Sequence, residues 1–244
     1  LAWRRAGLLA VTGRADAPGL VAPVAIGAAA DGALAALRAL APDAPLPHSG
    51  ALLLGERARL LGLRRHGATS ANRSCRLIAT ADAAVALNLP RAEDREMIPA
   101  LLGVAADDWR AIARAAARLK ARDLVEQGRL LGLAIADAGG HVPHPPPIVC
   151  ARVSPPRRPS AHRPLVVDLS SLWAGPLAAS LLAMCGARVV KVESLGRPDG
   201  ARAGNARFHD LLNAGKRSVA LDFAAPEDVA ALRRLVGAAD IVIE

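Results

Sequence analysis

Aromatic residues are nearly missing from this 244-residue chain, which has no Tyr, two Phe and three Trp. Core burial therefore falls to Ala, Leu and Val, and little surface is left on which nucleobases could stack. Lysine is just as scarce: of 31 basic residues only Lys120, Lys191 and Lys216 are lysines. The formal charge of +9 is thus carried by arginines, which are scattered and mixed with 22 acids. Without a basic block, no nucleic-acid partner is expected, and a small polyanionic ligand accounts for the charge equally well. Cys75, Cys150 and Cys185 have no CxxC spacing, so neither structural zinc nor a disulfide framework is expected. They read as reduced thiols in a cytoplasmic protein with no metal. Arginines and acids interrupt every apolar run before it could span a bilayer. The N-terminus also lacks a basic stretch followed by an apolar signal segment, and no membrane partner is expected.

What remains is 52% apolar, enough for one large or two modest domains with a core. Between Gly139 and Pro164 stand Gly139-Gly140, Pro143, Pro145-Pro146-Pro147, Pro155-Pro156, Pro159 and Pro164. Prolines at that density exclude helix and sheet interior, so residues 139–164 read as an extended linker. Its His141, His144 and His162 have no nearby acid and read as solvated. Before it, residues 1–138 are mostly helical by pattern. Asp31 is placed like the cap of a helix to Leu40, and a second helical stretch covers 105–127 with Asp107 and Asp108 near its start. Arg76–Thr80 and Ala84–Asn88 form a small β-hairpin around Ala81-Asp82-Ala83, and Pro90 ends it.

Residues 165–244 alternate between strand and helix. Strands are expected at 165–169, 188–193, 218–222 and from Asp240. Helices are expected from Gly175-Pro176 to about Cys185 and from Pro226 to about Val236. The stretch after Glu193 reads as a loop through Gly196, Pro198, Asp199 and Gly200 up to Asn213. This pattern predicts an α/β fold with a Rossmann-like, mainly parallel sheet, whose ligand lies at the carboxyl ends of its strands. The chain opens on Leu1 and closes within a strand-like run, so it reads as a piece of a longer protein.

Five blocks in this region fall in a specific order. They are Val167-Asp168-Leu169, Ala174-Gly175-Pro176, 186–193 (GARVVKVE), 213–222 (NAGKRSVALD) and 239–244 (ADIVIE). The order resembles the start of family III CoA-transferases, the group of formyl-CoA:oxalate and carnitine CoA-transferases and α-methylacyl-CoA racemases. The resemblance implies coenzyme A or an acyl-CoA as substrate, with a carboxylic acid as acceptor. It places the pantetheine-side turn at Trp173 and Ala174 and the adenosine-side strand at Leu221, Asp222, Phe223 and Ala224. The phosphates of such a ligand call for cationic side chains and backbone donors. Lys191, Arg197, Arg202, Lys216 and Arg217 are candidates, although Lys191 and Glu193 can instead pair across a strand end. Ser194 and Ala224 depart from the basic residues common in the family. His209, in the expected loop and without an evident partner, reads as solvated.

The resemblance also implies an aspartate nucleophile that carries acyl and then CoA, expected downstream of Glu244, so that no catalytic residue is assigned here. The first half resembles, more weakly, a later part of the same fold. Its segments 7–18, 26–32 and 80–87 follow the family's order, with Ala28 where the nucleophile would stand. Asp31 is the nearest carboxylate but reads as a cap. The whole then reads as two tandem copies, 1–138 and 165–244, able to pair as an interlocked homodimer or an intramolecular pseudo-dimer. A racemase-like enzyme and a non-catalytic CoA-binding copy are the alternatives.

Overall fold

A computed structural model describes residues 2–21, 25–139, 151 and 163–244. The expected linker, with its histidines and Cys150, thus lies almost wholly outside the described residues. In chain order the first half carries α1 (Ala2–Arg5), a 3-10 turn (Leu8–Ala10), α2 (Ile26–Leu40), α3 (Gly50–Leu60), β1 (Cys75–Ala79), β2 (Ala84–Asn88), α4 (Ala92–Glu96), α5 (Ile98–Leu102), α6 (Trp109–Ala116), α7 (Ala121–Leu130) and β3 (Ala134–Asp137). The second half carries β4 (Leu165–Asp168), α8 (Ala174–Met184), β5 (Arg188–Ser194), α9 (Gly200–Gly204), α10 (Ala206–Asn213), β6 (Arg217–Leu221), α11 (Pro226–Ala238) and β7 (Ile241–Ile243). Packing divides the described residues into two compact units that cut across this order. One holds 2–21, 58–139 and 151, and the other holds 25–57 with 163–244.

In the first unit the expected hairpin is one strand short. β3 pairs antiparallel with β2 and completes a sheet of order β1-β2-β3. Its sequence, Ala-Ile-Ala-Asp, carries little strand propensity. The strand forms because the turn at Gly132 (φ 74°) sets Ile135 beside Leu87. Ile78, Val85, Leu87 and Ile135 then share one face, which is buried against Ile98, Leu101, Ile112 and Leu124 of the helices. The single helix expected over 105–127 is two. The break falls where Ala81 N donates to Leu119 O at 2.8 Å and the Asp82 carboxylate accepts from Ala121 N at 2.8 Å. The hairpin turn thus caps α7, a tertiary contact that periodicity does not reveal.

In the second unit Asp31 lies inside α2 rather than capping it. Its carboxylate accepts from Ala51 N at 3.0 Å and Ser49 Oγ at 2.8 Å, so it caps the first turn of α3. The two helices meet at Gly50, where a Cβ would overlap the Ala30 carbonyl. The sheet is fully parallel, with order β6-β5-β4-β7. Strand alternation sorts its side chains. Val167, Val190, Val192, Val219 and Leu221 face Leu232, Leu235 and Val236 of α11. On the other face Val166 and Val189 pack under Ala179, Leu182 and Ala183 of α8. Further along that face, toward the carboxyl ends, stand Asp168, Lys191 and Glu193, all buried. The expected loop up to Asn213 is α9 and α10, each started by a side-chain cap: Asp199 accepts from Ala201 N and Asn205 from Phe208 N, both at 2.9 Å.

Two glycines of the helical pair test this packing. Gly50→Ala should destabilise by about 2–3 kcal/mol, because its Cβ meets backbone that cannot yield. Gly32→Ala, in open space within α2, should stabilise by about 0.5–1 kcal/mol. Denaturant titration of both variants checks the contrast, and equal effects would contradict the α2–α3 contact.

Candidate functional site

A hydrophobic sheet does not tolerate a buried charge unless that charge is paired and hydrogen-bonded. Asp168 ends β4 with no exposed surface. The Lys216 ammonium, 1% exposed, lies 2.9 Å from Asp168 Oδ2. It also donates to Pro176 O at 2.8 Å and to Asn213 Oδ1 at 2.9 Å. All three of its protons are committed. Burial pushes the Lys216 ammonium below its ordinary pKa, and Asp168 offsets only part of that. The other Asp168 oxygen accepts from Ser170 N at 3.1 Å and from the Ser170 hydroxyl. Ser170 is pressed against α8, where a Cβ on Gly175 would overlap it. The glycine of the Ala174-Gly175-Pro176 turn is therefore required by the chain's own contact.

A second pair stands beside the first. Lys191 donates to Ser170 O at 2.8 Å and lies 3.2 Å from Asp199 Oδ2, with both side chains 1% exposed. The strand-end pairing with Glu193 thus gives way to Asp199. Burial works to raise the Asp199 carboxyl, but the N–H groups of Ala201 and Leu172 and the Lys191 ammonium hold it below its ordinary value. Asp199 also explains a strained residue. Leu172 sits at φ 70°, a conformation that costs a bulky side chain about 1–2 kcal/mol. Its N–H is held by the two Asp199 oxygens at 3.1 and 3.3 Å, tying the loop after β4 to the loop after β5. Glu193 completes the set. It accepts from Asp199 N at 3.0 Å and takes both Nε and Nη2 of Arg202, the shortest bond being 2.7 Å. The Arg202 bonds, acting against the cost of burial, hold the Glu193 carboxyl at about 2.

The residues singled out from sequence fall into two groups. Trp173, Asp222, Phe223 and Ala224 lie on the loops at the carboxyl ends of β4 and β6, with Ala174 opening α8 and Leu221 buried at the end of β6. Leu172, Leu195 and Phe223, one after each of three adjacent strands, are 57%, 62% and 47% exposed. Asp222 is engaged in its own turn, bonding Ala224 N at 2.9 Å, while its N–H donates to Asp228. Arg197 is exposed on the loop after β5. Lys191, Arg202, Lys216 and Arg217 instead line a cavity of about 260 Å³ on the sheet face beside β6. His209 lines it too. It is 6% exposed within α10, not solvated on a loop, because the Asn205 cap starts a helix that turns it inward. Sequence reading missed Asp199 as an organiser, although Asp199-Gly200 carried a cap signal. It also missed Arg57, which stands 6.0 Å from the Phe208 ring centroid. Trp173 meets that ring edge-on at 6.4 Å. Among the described residues no group of His, Cys, Asp or Glu could hold a metal ion, and no helix is long and apolar enough to cross a membrane.

Lys216→Met leaves Asp168 buried without its cation and should cost about 3–5 kcal/mol, most of it recovered when Asp168→Leu is added. An uncorrected double variant would contradict the pairing. For Glu193 the folded pKa lies below the unfolded value, so its contribution is complete above about pH 4.5 and fades as pH falls toward 2. Stability measured against pH should thus separate Arg202→Gln from the parent chain above pH 4.5 by about 2 kcal/mol, and the two curves should converge near pH 2.

The family model of CoA-transferase family III matches residues 164–244. The succinate–glutarate CoA-transferase of Agrobacterium fabrum is 38% identical over 103 residues, which is 37% of this chain and 26% of that protein. The human α-methylacyl-CoA racemase is 44% identical over 80 residues, 32% of this chain and 19% of that protein. A succinyl-CoA:mesaconate CoA-transferase of Haloarcula hispanica is 39% identical over 89 residues, 32% and 22% of the two chains. The chain thus spans about a quarter or less of the length of these relatives. No solved structure matches. Its sheet, its order of motifs and these matches agree: the segment 164–244 is similar to part of the CoA-transferase family III proteins.

Proposed function

We propose that the second unit is the coenzyme A platform of an enzyme that moves CoA between acyl-CoA thioesters and carboxylic acids. The observation that carries this reading is the row of three loops at the carboxyl ends of β4, β5 and β6, presenting Leu172, Trp173, Ala174, Leu195, Asp222, Phe223 and Ala224. Exposed apolar side chains there suit the adenine ring and the pantetheine arm. The first N–H groups of α8, together with the exposed Arg197, suit the phosphates. The buried lysines act indirectly: Lys216, through its three bonds, and Lys191, through Ser170 O and Asp199, position the loops.

In the proposed chemistry an aspartate carboxylate, supplied by polypeptide C-terminal to Glu244, attacks the thioester carbonyl. The C–S bond breaks, leaving an acyl-aspartyl anhydride and CoA thiolate. The thiolate then attacks the aspartyl carbonyl and expels the first acid, forming aspartyl-CoA. The acceptor acid attacks this thioester in turn, and the thiolate released takes the new acyl group, regenerating the carboxylate. In the N-terminal segment Ala28 has no group for such a role, and Asp31 is occupied in capping α3. The grouping of 25–57 with 163–244 in one compact unit supports reading the chain as two tandem copies paired as a pseudo-dimer in the cytoplasm. A second reading, racemisation at the carbon beside the thioester, is favoured by the 44% identity to the human racemase and requires an acid–base pair at that carbon.

Coenzyme A added to the whole chain should raise its melting temperature with saturation. Phe223→Ala should weaken that binding about tenfold through lost stacking, while the fold remains intact. No response at millimolar CoA would overturn the reading. Once the downstream segment is restored, label exchange between acids and CoA supports transfer, whereas deuterium uptake beside the thioester supports racemisation.

A further inference from the structure

Within the second unit, α3 brings a charged side chain to the aromatic pair beside the β4 loop. The Arg57 guanidinium lies over the Phe208 ring, with Cζ 6.0 Å from its centroid. Phe208 is 4% exposed, and its N–H is held at 2.9 Å by the Asn205 cap of α10. Trp173, in the turn that opens α8, meets the same ring edge-on at 6.4 Å. One buried ring is thus flanked by a cation and by an indole. Covering that ring does not require the cation: Leu or Met would bury it as well, without desolvating a charge. Arg57 is half-buried, yet neither its neighbour Glu56 nor any other acid among the described residues pairs with it, and it forms no hydrogen bond with them. A guanidinium stacked on a ring uses its flat face there and keeps the N–H groups of its edge, the fork that matches a carboxylate.

We propose that Arg57 is a specificity-determining residue that binds a second carboxylate on the acyl group, so that the platform prefers thioesters of dicarboxylic acids. The inference rests on the CoA reading, which sets the pantetheine arm, and the thioester at its end, beside Trp173. The arm is uncharged and suits the apolar surface of the aromatic pair. An acyl group extending from that thioester along the pair reaches the guanidinium. A chain that ends in a methyl group offers Arg57 nothing. A chain that ends in a carboxylate supplies the missing counterion through two parallel N–H···O bonds. Lysine would serve less well here, because an ammonium has neither the flat face for Phe208 nor the fork for the carboxylate. Apolar contact alone ranks the two chains the other way, since a terminal carboxylate must shed water to enter. A preference for the charged chain therefore reports a cation at the site.

Calorimetric titration of the whole chain with glutaryl-CoA and with valeryl-CoA tests the proposal. The two acyl groups have the same number of carbons and differ in ending on a carboxylate or a methyl. Glutaryl-CoA should bind at least about tenfold more tightly, and the margin should narrow as chloride is raised. Arg57→Met keeps an apolar stem over Phe208 and removes the charge, and it should abolish the preference. Equal binding of the two thioesters by the parent chain overturns the proposal, a comparison that needs no variant to fold. So does a preference that survives in Arg57→Met, because the carboxylate is then read elsewhere. A variant that loses valeryl-CoA as severely as glutaryl-CoA also overturns it, since Arg57 then only holds the aromatic pair in place. Free CoA separates the two readings: CoA bound without any preference removes this inference alone, whereas no binding of CoA or either thioester removes the platform reading and this inference with it.

Discussion

The Lys216 ammonium is the point on which the second unit is organised. Its three hydrogen bonds reach the end of β4, the first turn of α8 and the last turn of α10, while its own backbone leads into β6. One buried charge thus fixes four elements relative to one another. Such an ion pair adds little net stability over an apolar replacement, but breaking one side of it is expensive. Its effect is to allow one arrangement of the loops. The adjoining Lys191–Asp199 pair extends that constraint to Leu172, whose left-handed backbone is held in place by the same carboxylate.

The division of the sheet into apolar and charged regions follows from strand alternation. In β5 the residues Val190 and Val192 face α11, while Val189, Lys191 and Glu193 face the other way. Near the amino ends of the strands that second face is covered by α8 and stays apolar. Near the carboxyl ends it carries the charges that α9 and α10 then bury. The loops above therefore rest on side chains that are already satisfied, with the Lys191 and Lys216 ammonium groups buried in their ion pairs.

The sequence made much of the parallel sheet legible. Short Val-rich runs, Pro176 inside a helix start and Gly186 after its end give the order of strands and helices to within a residue or two. The α9–α10 stretch escaped because Gly200 and Gly204 disguise a helix whose evidence lay in the caps Asp199 and Asn205. Asp31, Asp82 and β3 escaped for another reason. Each is decided by a contact with a distant segment, and a capping carboxylate does not announce which helix it serves. In the candidate site, charge and position singled out Lys191, Lys216 and Arg202 but not their partners Asp199, Asp168 and Glu193. Reading them as ligand contacts assumed exposed cations, whereas the Lys191 and Lys216 ammonium groups are buried in ion pairs. Arg57 is brought near Phe208 only by the fold, from more than a hundred residues away. His209 looked solvated only because its helix was not foreseen.

The central claim is that the carboxyl-end loops of β4, β5 and β6 form the seat of coenzyme A, held in place by the buried charge pairs beneath them. A crystal structure of the chain grown with CoA tests this most directly. The account predicts the nucleotide end against Trp173, Ala174 and Phe223 with the Lys216 and Lys191 bonds unchanged. CoA seated away from all three loops, or a lysine turned out of its pair to reach a phosphate, would contradict it.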